Sequence, residues 1–311
     1  MDFENLARAA ELLRQGEVVG LPTETVYGLA ANALNPEAVA RVYELKGRPA
    51  FNPIIVHVCS VEMARECVHE WPALAQKLAD VFWPGPLTLV LPRSEEIPDI
   101  VTAGGTTVGI RWPRHPLMQE VIRLCGFPLA APSANRSTEI SPTNAEHVRK
   151  SFGNRIPLIV DGGQSQIGIE STVLDLSVSP SRILRPGMIH AESIVAVTGE
   201  LAADGAGAER LKSPGLLPKH YSPKATLAIR QWQDATEMET QPEEVRIIAH
   251  SKIPKHGNVT IMPHDPEAYG RALYAELHRC DEAGVRLIIV EAVPDTAEWS
   301  AIRDRLSRAA S

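Results

Sequence analysis

The sequence predicts an α/β protein, with one large mixed sheet and, after a break, a smaller α/β unit. Three observations predict it. Short apolar runs of strand length alternate with segments whose apolar residues recur at helical spacing. The stretch 202–223 interrupts that alternation with small residues and prolines, and the pattern restarts beyond it. The 311 residues are 44% hydrophobic and 22% charged, an ordinary globular balance with length enough for one large domain or two smaller ones.

The elements follow in order. Leu6, Ala9, Ala10 and Leu13 share one helical stripe within 5–15, which Gly16 ends. Residues 18–21 read as a short buried strand. Asn35 caps a second helix with Pro36 in its first turn, and Val39, Val42, Tyr43 and Lys46 follow at helical spacing. Further strands are predicted at 54–58, 87–91, 107–110, 129–131, 158–160, 172–176 and 182–184, with helices at 117–125 and 144–150. The break opens on Ala-Ala-Asp-Gly-Ala-Gly at Ala202 and continues with SPGLLPKHYSP, which holds Pro214, Pro218 and Pro223. It reads as a partly extended linker. Beyond it, strands are expected at 227–230, 245–249 and 287–290 and helices at 266–279 and 296–309. The chain therefore divides into 1–201, a linker over 202–223 and a small unit over 224–311.

Composition and motifs exclude several functions. A net charge of −7 disfavours holding a nucleic-acid backbone by bulk electrostatics, so no stable nucleic-acid binding is expected. The four cysteines, Cys59, Cys67, Cys125 and Cys280, form no C-x-x-C pair and fit reduced thiols in a cytoplasm. The N-terminus lacks the basic and apolar regions of a signal peptide, and no apolar run is long enough to span a bilayer. The sequence carries no P-loop, G-x-G-x-x-G, H-E-x-x-H or G-x-S-x-G motif, so a catalytic triad or protein-held metal is not expected.

What the first unit carries instead is a series of polar clusters at element ends. PTETVYGL brings Thr23, Glu24, Thr25 and Tyr27 together before Gly28. Taken alone it reads as a turn with ordinary caps. KGRPAFNPIIVHV holds Lys46 and Arg48 at a helix end, with Asn52 and His57 beyond. Such cations complement a helix dipole or clamp a phosphate. Arg111 ends an apolar strand, where a charge needs a partner. APSANRSTEISPT crowds Ser133, Asn135, Ser137 and Ser141 into a loop that can present hydroxyls and N–H groups to phosphate. Glu170 and Ser171 precede one strand, and Arg185 ends another before Pro186-Gly187. Each cluster is weak alone. Together, Lys46, Arg48, Arg111 and Arg185 in an acidic protein suit a polyanion and a carboxylate.

PTETVYGL, KGRP with NPIIVHV, SAN with a later SPT, ESTV and LRPG occur here in the order found in the YrdC family, and SPGLLPKHYSP resembles the linker of its two-domain branch. The chain thus resembles the two-domain threonylcarbamoyl-AMP synthases of that family. The resemblance implies an open twisted mixed sheet with a concave basic cavity, followed by a small Rossmann-like domain. It implies synthesis of threonylcarbamoyl-AMP and pyrophosphate from L-threonine, bicarbonate or carbon dioxide, and ATP with Mg2+. The product passes to a downstream tRNA threonylcarbamoyltransferase complex. Carried over by motif, Thr25, His57, Arg111, Ala131 and Ser171 face threonine. Arg48, Asn52, Thr107, Ser133, Asn135, Ser141 and Arg185 face the nucleotide, together with His220 and Tyr221 of the linker acting as a lid. Lys46, Arg48 and Arg111 are the expected catalytic group. Two positions depart from the family: Thr138 stands where glycine is common, and Trp112 where a smaller residue is usual. The alternative reading is a module that binds structured RNA in the same concave domain, which the charge and the lack of an aromatic stacking platform disfavour.

Overall fold

The computed structural model describes residues 3–202, 221–231, 244–254 and 257–310. The predicted linker lies outside them, apart from Ala202 and the segment 221–223. The first unit is built on nine strands: β1 (Val19–Leu21), β2 (Gly28–Asn32), β3 (Val56–His57), β4 (Leu87–Pro92), β5 (Thr107–Arg111), β6 (Leu129–Ala130), β7 (Leu158–Ile159), β8 (Thr172–Asp175) and β9 (Arg182–Arg185). They form one mixed sheet in the order β7-β1-β2-β6-β3-β5-β4-β8-β9. The pairs β1/β7, β3/β5 and β4/β8 are parallel, and the others antiparallel.

Strand alternation assigns the two faces of this sheet to two cores. Val19, Leu21 and Ala30 pack with Leu6 and Leu13 of α1 (Phe3–Arg14) and with Val121 and Ile122 of α5 (Pro116–Cys125). Leu29, Ala31, Leu87 and Leu89 face the other way. They meet α2 (Pro36–Lys46), α3 (Val61–Glu66), α4 (Ala73–Phe82), α6 (Ala145–Phe152) and α7 (Ala191–Thr198). Asn35 caps α2 as predicted, its side chain accepting from Ala38 N. Gly47 ends that helix at φ 59°, which turns Arg48 off the axis toward the sheet.

The second unit is a parallel sheet in the order β10-β13-β11-β12, from β10 (Thr226–Arg230), β11 (Val245–Ala249), β12 (Val259–Ile261) and β13 (Leu287–Glu291). Its helices are α8 (Pro266–Glu282) and α9 (Ser300–Ala309). The two units share a core, since Val26, Ile140 and Ile169 join the cluster of Tyr274, Leu277 and Leu306. Helix α8 packs so closely that a Cβ on Gly168 would sit 2.5 Å from Arg271 Cα. Across the same boundary Lys150 pairs with Glu282 at 2.6 Å, and the rings of His147 and His278 stack at 3.8 Å.

The structure corrects some expected elements. The strand expected at 54–58 pairs in the ladder only at Val56–His57, because Ile54 N donates to Val101 O, outside the named strands. Strand β2, helices α3, α4 and α7, and strand β12 were not expected. In β2 the run Leu29–Ala31 has no β-branched residue to mark it. Helix α9 begins at Ser300 rather than 296, and α8 runs on to Glu282.

Thr138, exposed in the loop after β6, has φ 72°. Left-handed backbone disfavours a residue with a Cβ, which explains the glycine that the family resemblance sets there. Thr138→Gly is expected to raise unfolding stability by up to about 1 kcal/mol, the strain relieved less the entropy glycine adds to the unfolded chain. Urea unfolding checks this, and a lowered midpoint would contradict it. Trp112 packs against the main core and is not among the residues lining the cleft; it follows β5, an interior strand, so it does not fill the sheet edge.

Candidate active site

Where β3, β5 and β9 end and β8 begins, the motif residues meet in one cleft. It is lined by Thr25, Arg48, His57, Arg111, Ala131, Ser133, Ser171, Arg185 and Tyr221, all predicted, and by Thr23 and Glu170, which were not.

The Thr23 side chain shapes the first wall. Its Oγ1 accepts from Thr25 N at 3.1 Å and Val26 N at 3.2 Å and donates to Val26 O at 2.6 Å. The Thr25 hydroxyl, 2.8 Å from Thr23 Oγ1, must therefore donate to it. Thr25 Oγ1 also accepts from Arg111 Nη1 at 2.8 Å, so it can take one further donor but offer no proton. Arg111 donates from Nε to Gly85 O at 3.2 Å and pairs through Nη2 with Glu24 Oε1 at 2.7 Å. Burial pushes the Glu24 carboxyl up, and the Arg111 charge outweighs it, holding Glu24 below its usual range. Two of the five Arg111 N–H groups lie outside these three contacts. Glu24 was seen in its motif but given no role. It is the partner that a strand-end arginine required. His57 is buried, its pKa pushed down to about 3 by burial and then by the Arg111 charge, and its Nδ1 makes no hydrogen bond. The cleft thus holds a neutral imidazole with an unused polar atom.

The opposite end is cationic. Arg48 donates from Nε to Asn52 O at 2.9 Å and from Nη2 to Asn52 Oδ1 at 2.7 Å and Pro53 O at 2.6 Å. Among the described residues it has no carboxylate partner. Burial pushes its pKa down to about 10, and the neighbouring Arg185 charge acts the same way. Arg185 donates from Nε to Ser171 O and from Nη2 to Ser171 Oγ, both at 3.1 Å, and burial lowers its pKa too. Ser171 Oγ lies 2.8 Å from Thr88 Oγ1. Tyr221, fully buried, holds φ 61° between Tyr274, 5.8 Å away, and the Arg305 guanidinium, 5.2 Å above its ring.

Other predicted residues stand behind the cleft rather than in its lining. Lys46 Nζ donates to Ser133 O and Asn135 O, both at 2.5 Å, so its ammonium ties the loop down instead of facing the cleft. Burial and then the Arg48 charge hold its pKa well below the usual lysine value. Asn52 braces Arg48, and Asn135 Nδ2 donates to Arg136 O and Glu139 O at 2.8 Å. Ser141 Oγ donates to Glu170 Oε1 at 2.6 Å. Thr107 begins β5 at the strand end opposite Arg111. His220 lies outside the described residues. Sequence reasoning missed Arg305 and Tyr274 of the second unit, which bond Glu170 from α9 and α8 at 2.7 and 3.1 Å. The signal was an arginine on the apolar stripe Ala301, Ile302, Leu306 and Ala309.

Among the described residues no group of three His, Cys, Asp or Glu side chains is placed to hold a metal, and no helix is long and apolar enough to cross a membrane.

Comparison with known proteins gives the same grouping. Residues 189–311 match the family described as threonylcarbamoyl-AMP synthase, C-terminal domain. The threonylcarbamoyl-AMP synthase of Pyrococcus abyssi is 40% identical over 97% of this chain and 92% of its own length. The protein of that name from Bacillus subtilis is 42% identical over 98% and 92%. The crystal structure of P. abyssi Sua5 complexed with L-threonine superposes with a TM-score of 0.89 at 39% identity, covering 98% of this chain and 94% of that one. Residues 11–187 match the Sua5/YciO/YrdC family, described under telomere recombination, and the chain belongs to that family.

Proposed function

We propose that the chain is an L-threonylcarbamoyladenylate synthase, converting L-threonine, bicarbonate or carbon dioxide, and ATP into threonylcarbamoyl-AMP and pyrophosphate. The observation that carries the reading is the pairing, in one cleft, of a crowded cationic end at Arg48 and Arg185 with a neutral, hydroxyl-rich end at Thr25 and His57. Buried like charges favour an anion between them. The relatives' names and the L-threonine in the P. abyssi complex support the same substrate for this chain.

In this reading the nucleophile belongs to the substrate. The threonine nitrogen attacks carbon dioxide and loses a proton, giving a carbamate. A carbamate oxygen then attacks the α-phosphorus of ATP, and the bond to the pyrophosphate oxygen breaks. The protein supplies placement and charge neutralisation. Arg111, fixed by Glu24 and Thr25, turns its remaining N–H groups to the threonine carboxylate. His57 Nδ1 and the last lone pair of Thr25 accept from the amine or hydroxyl. Ala131 and Ser171 close that pocket, while Arg48, Arg185 and Ser133 meet the phosphates. Lys46, Asn52, Asn135 and Ser141 act behind them, and Thr107, His220 and Tyr221 belong to the nucleotide side. Magnesium would be carried by ATP and not by the protein, because Glu170 in the cleft and Glu24 behind it are already in ion pairs. Residues 1–201 carry this chemistry, with 202–223 joining them to the 224–311 unit. The product is a nucleotidyl transfer intermediate for tRNA modification by a downstream transferase. The four free thiols support a reducing cytoplasm.

The test is pyrophosphate release by the purified protein. It is expected only when ATP, threonine and bicarbonate are all present. Valine, which keeps the shape without the hydroxyl, is expected to be at least about 100-fold poorer, since a polar site rejects an analogue that leaves its groups unpaired. Release without an amino acid, or equal release with valine, would sink the reading.

A further inference from the structure

Arg305 lies on the buried stripe of α9 and is 1% exposed. A helix of a small domain gains nothing in its own core from an arginine there. Its contacts lead elsewhere. Nε donates to Glu170 Oε2 at 2.7 Å, Nη2 to Pro186 O at 3.1 Å and Glu170 O at 3.4 Å, and Nη1 to Asp304 Oδ2 at 2.6 Å. The guanidinium also covers the Tyr221 ring. Apart from Asp304, every one of these partners lines the cleft or adjoins Arg185.

Glu170 poses an electrostatic problem. Its carboxylate lines the same cleft as Arg48 and Arg185. Left alone, it would repel a polyphosphate and draw Arg185 into an ion pair. Among the described residues the two charges feel each other without closing into a Glu170–Arg185 ion pair. The carboxylate is held by Arg305, Tyr274 OH at 3.1 Å and Ser141 Oγ at 2.6 Å. Its pKa sits at about 2: burial raises it, and the charges of Arg305 and then Arg185 outweigh that.

We infer that Arg305, assisted by Tyr274, is a positioning residue for the nucleotide end of the cleft: it neutralises Glu170 and holds it off Arg185, so docking of the small domain sets the charge that ATP meets. The inference rests on the synthase reading of the cleft. It also gives the 224–311 unit a role in the site, because the site's charge is balanced only when α9 is in place.

The test uses the full chain and compares Arg305→Gln, Arg305→Lys and the double variant Glu170→Gln, Arg305→Gln. ATP affinity is measured by calorimetry, and KM for ATP and for threonine by pyrophosphate release. Arg305→Gln is expected to weaken ATP by at least about tenfold while threonine KM moves far less. Arg305→Lys should lie between it and the parent. The double variant, which removes the anion as well as its partner, should regain most of the lost ATP affinity. A double variant as weak as Arg305→Gln, or threonine KM rising in parallel with ATP KM, would reduce Arg305 to packing and overturn the inference. If Arg305→Gln does not fold, the double variant decides, because it removes both members of the buried Glu170–Arg305 pair: parental ATP affinity supports the inference and weak binding overturns it. Calorimetric ATP binding separates this failure from that of the synthase reading, which would appear as a parent protein that releases no pyrophosphate.

Discussion

Arg111→Ala is expected to cost the protein both catalysis and stability. The side chains of Arg111 and Glu24 are 4% and 3% exposed, so removing the arginine strands a carboxylate away from water. Breaking one half of a buried pair costs about 3–5 kcal/mol. In the proposed synthase reading the threonine carboxylate would lose its charged partner at the same time, worth about 1.5–3 kcal/mol, or roughly 10- to 150-fold in kcat/KM. A double variant, Glu24→Gln with Arg111→Met, separates the two effects. It is expected to recover much of the stability and none of the threonine-dependent turnover. Urea unfolding and pyrophosphate release read the two quantities. An Arg111→Ala protein with the parent's unfolding midpoint and threonine KM would remove Arg111 from both roles.

Mild acid is expected to weaken this protein before its carboxylates titrate. His57 has a folded pKa of about 3 against 6.5 for a free imidazole, so below pH 6.5 the unfolded chain binds the proton and the folded one does not. Stability therefore falls with pH from 6.5 toward 3, by about 2 kcal/mol at pH 5 from this residue alone. His147 and His278 act in the same direction, lowered chiefly by burial to about 3 and about 4, with Glu282 opposing and Lys150 reinforcing the shift in both. They stack across the boundary between the two units, so charging them sets like charges against each other where α6 meets α8. Glu170 follows at lower pH. Its folded pKa is depressed to about 2, and its contribution is present above 4.5 and lost as pH falls toward 2. The unfolding midpoint in urea should drop steeply between pH 7 and 5, and His278→Gln should flatten that slope. A midpoint unchanged over this range would contradict the prediction.

How much of this the sequence disclosed depends on what each signal consists of. Asn35-Pro36 opens a helix because a short polar side chain and proline have local reasons to be there, and the structure bears it out, whereas the helix expected from 144 starts at Ala145 with Asn144 as its cap. β2 escaped notice because Gly28–Asn32 gets its strand character from pairing with β1 and β6, not from its own residues. In the cleft, the cations at element ends were legible because a charge beside an apolar run asks for a partner. The partners themselves were not. Nothing in the spacing of Glu24 and Arg111, or of Glu170 and Arg305, says that they meet, since each pair is set by sheet order or domain packing. The same limit made Lys46 look like a phosphate ligand, when its ammonium ends on two backbone carbonyls.

That lysine has a consequence for how the chain tolerates change. It grips the Ser133–Asn135 loop by the main chain, so the loop's shape is written in α2, 87 and 89 residues earlier. Asn135 shares that work, its Nδ2 donating to Arg136 O and Glu139 O, so Ser133 is left open for chemistry while the helix end has no such latitude. A guanidinium, flat and forked, does not converge on two carbonyls as a compact ammonium does. Position 46 is therefore ill suited even to arginine, and a site that governs the loop lies outside it.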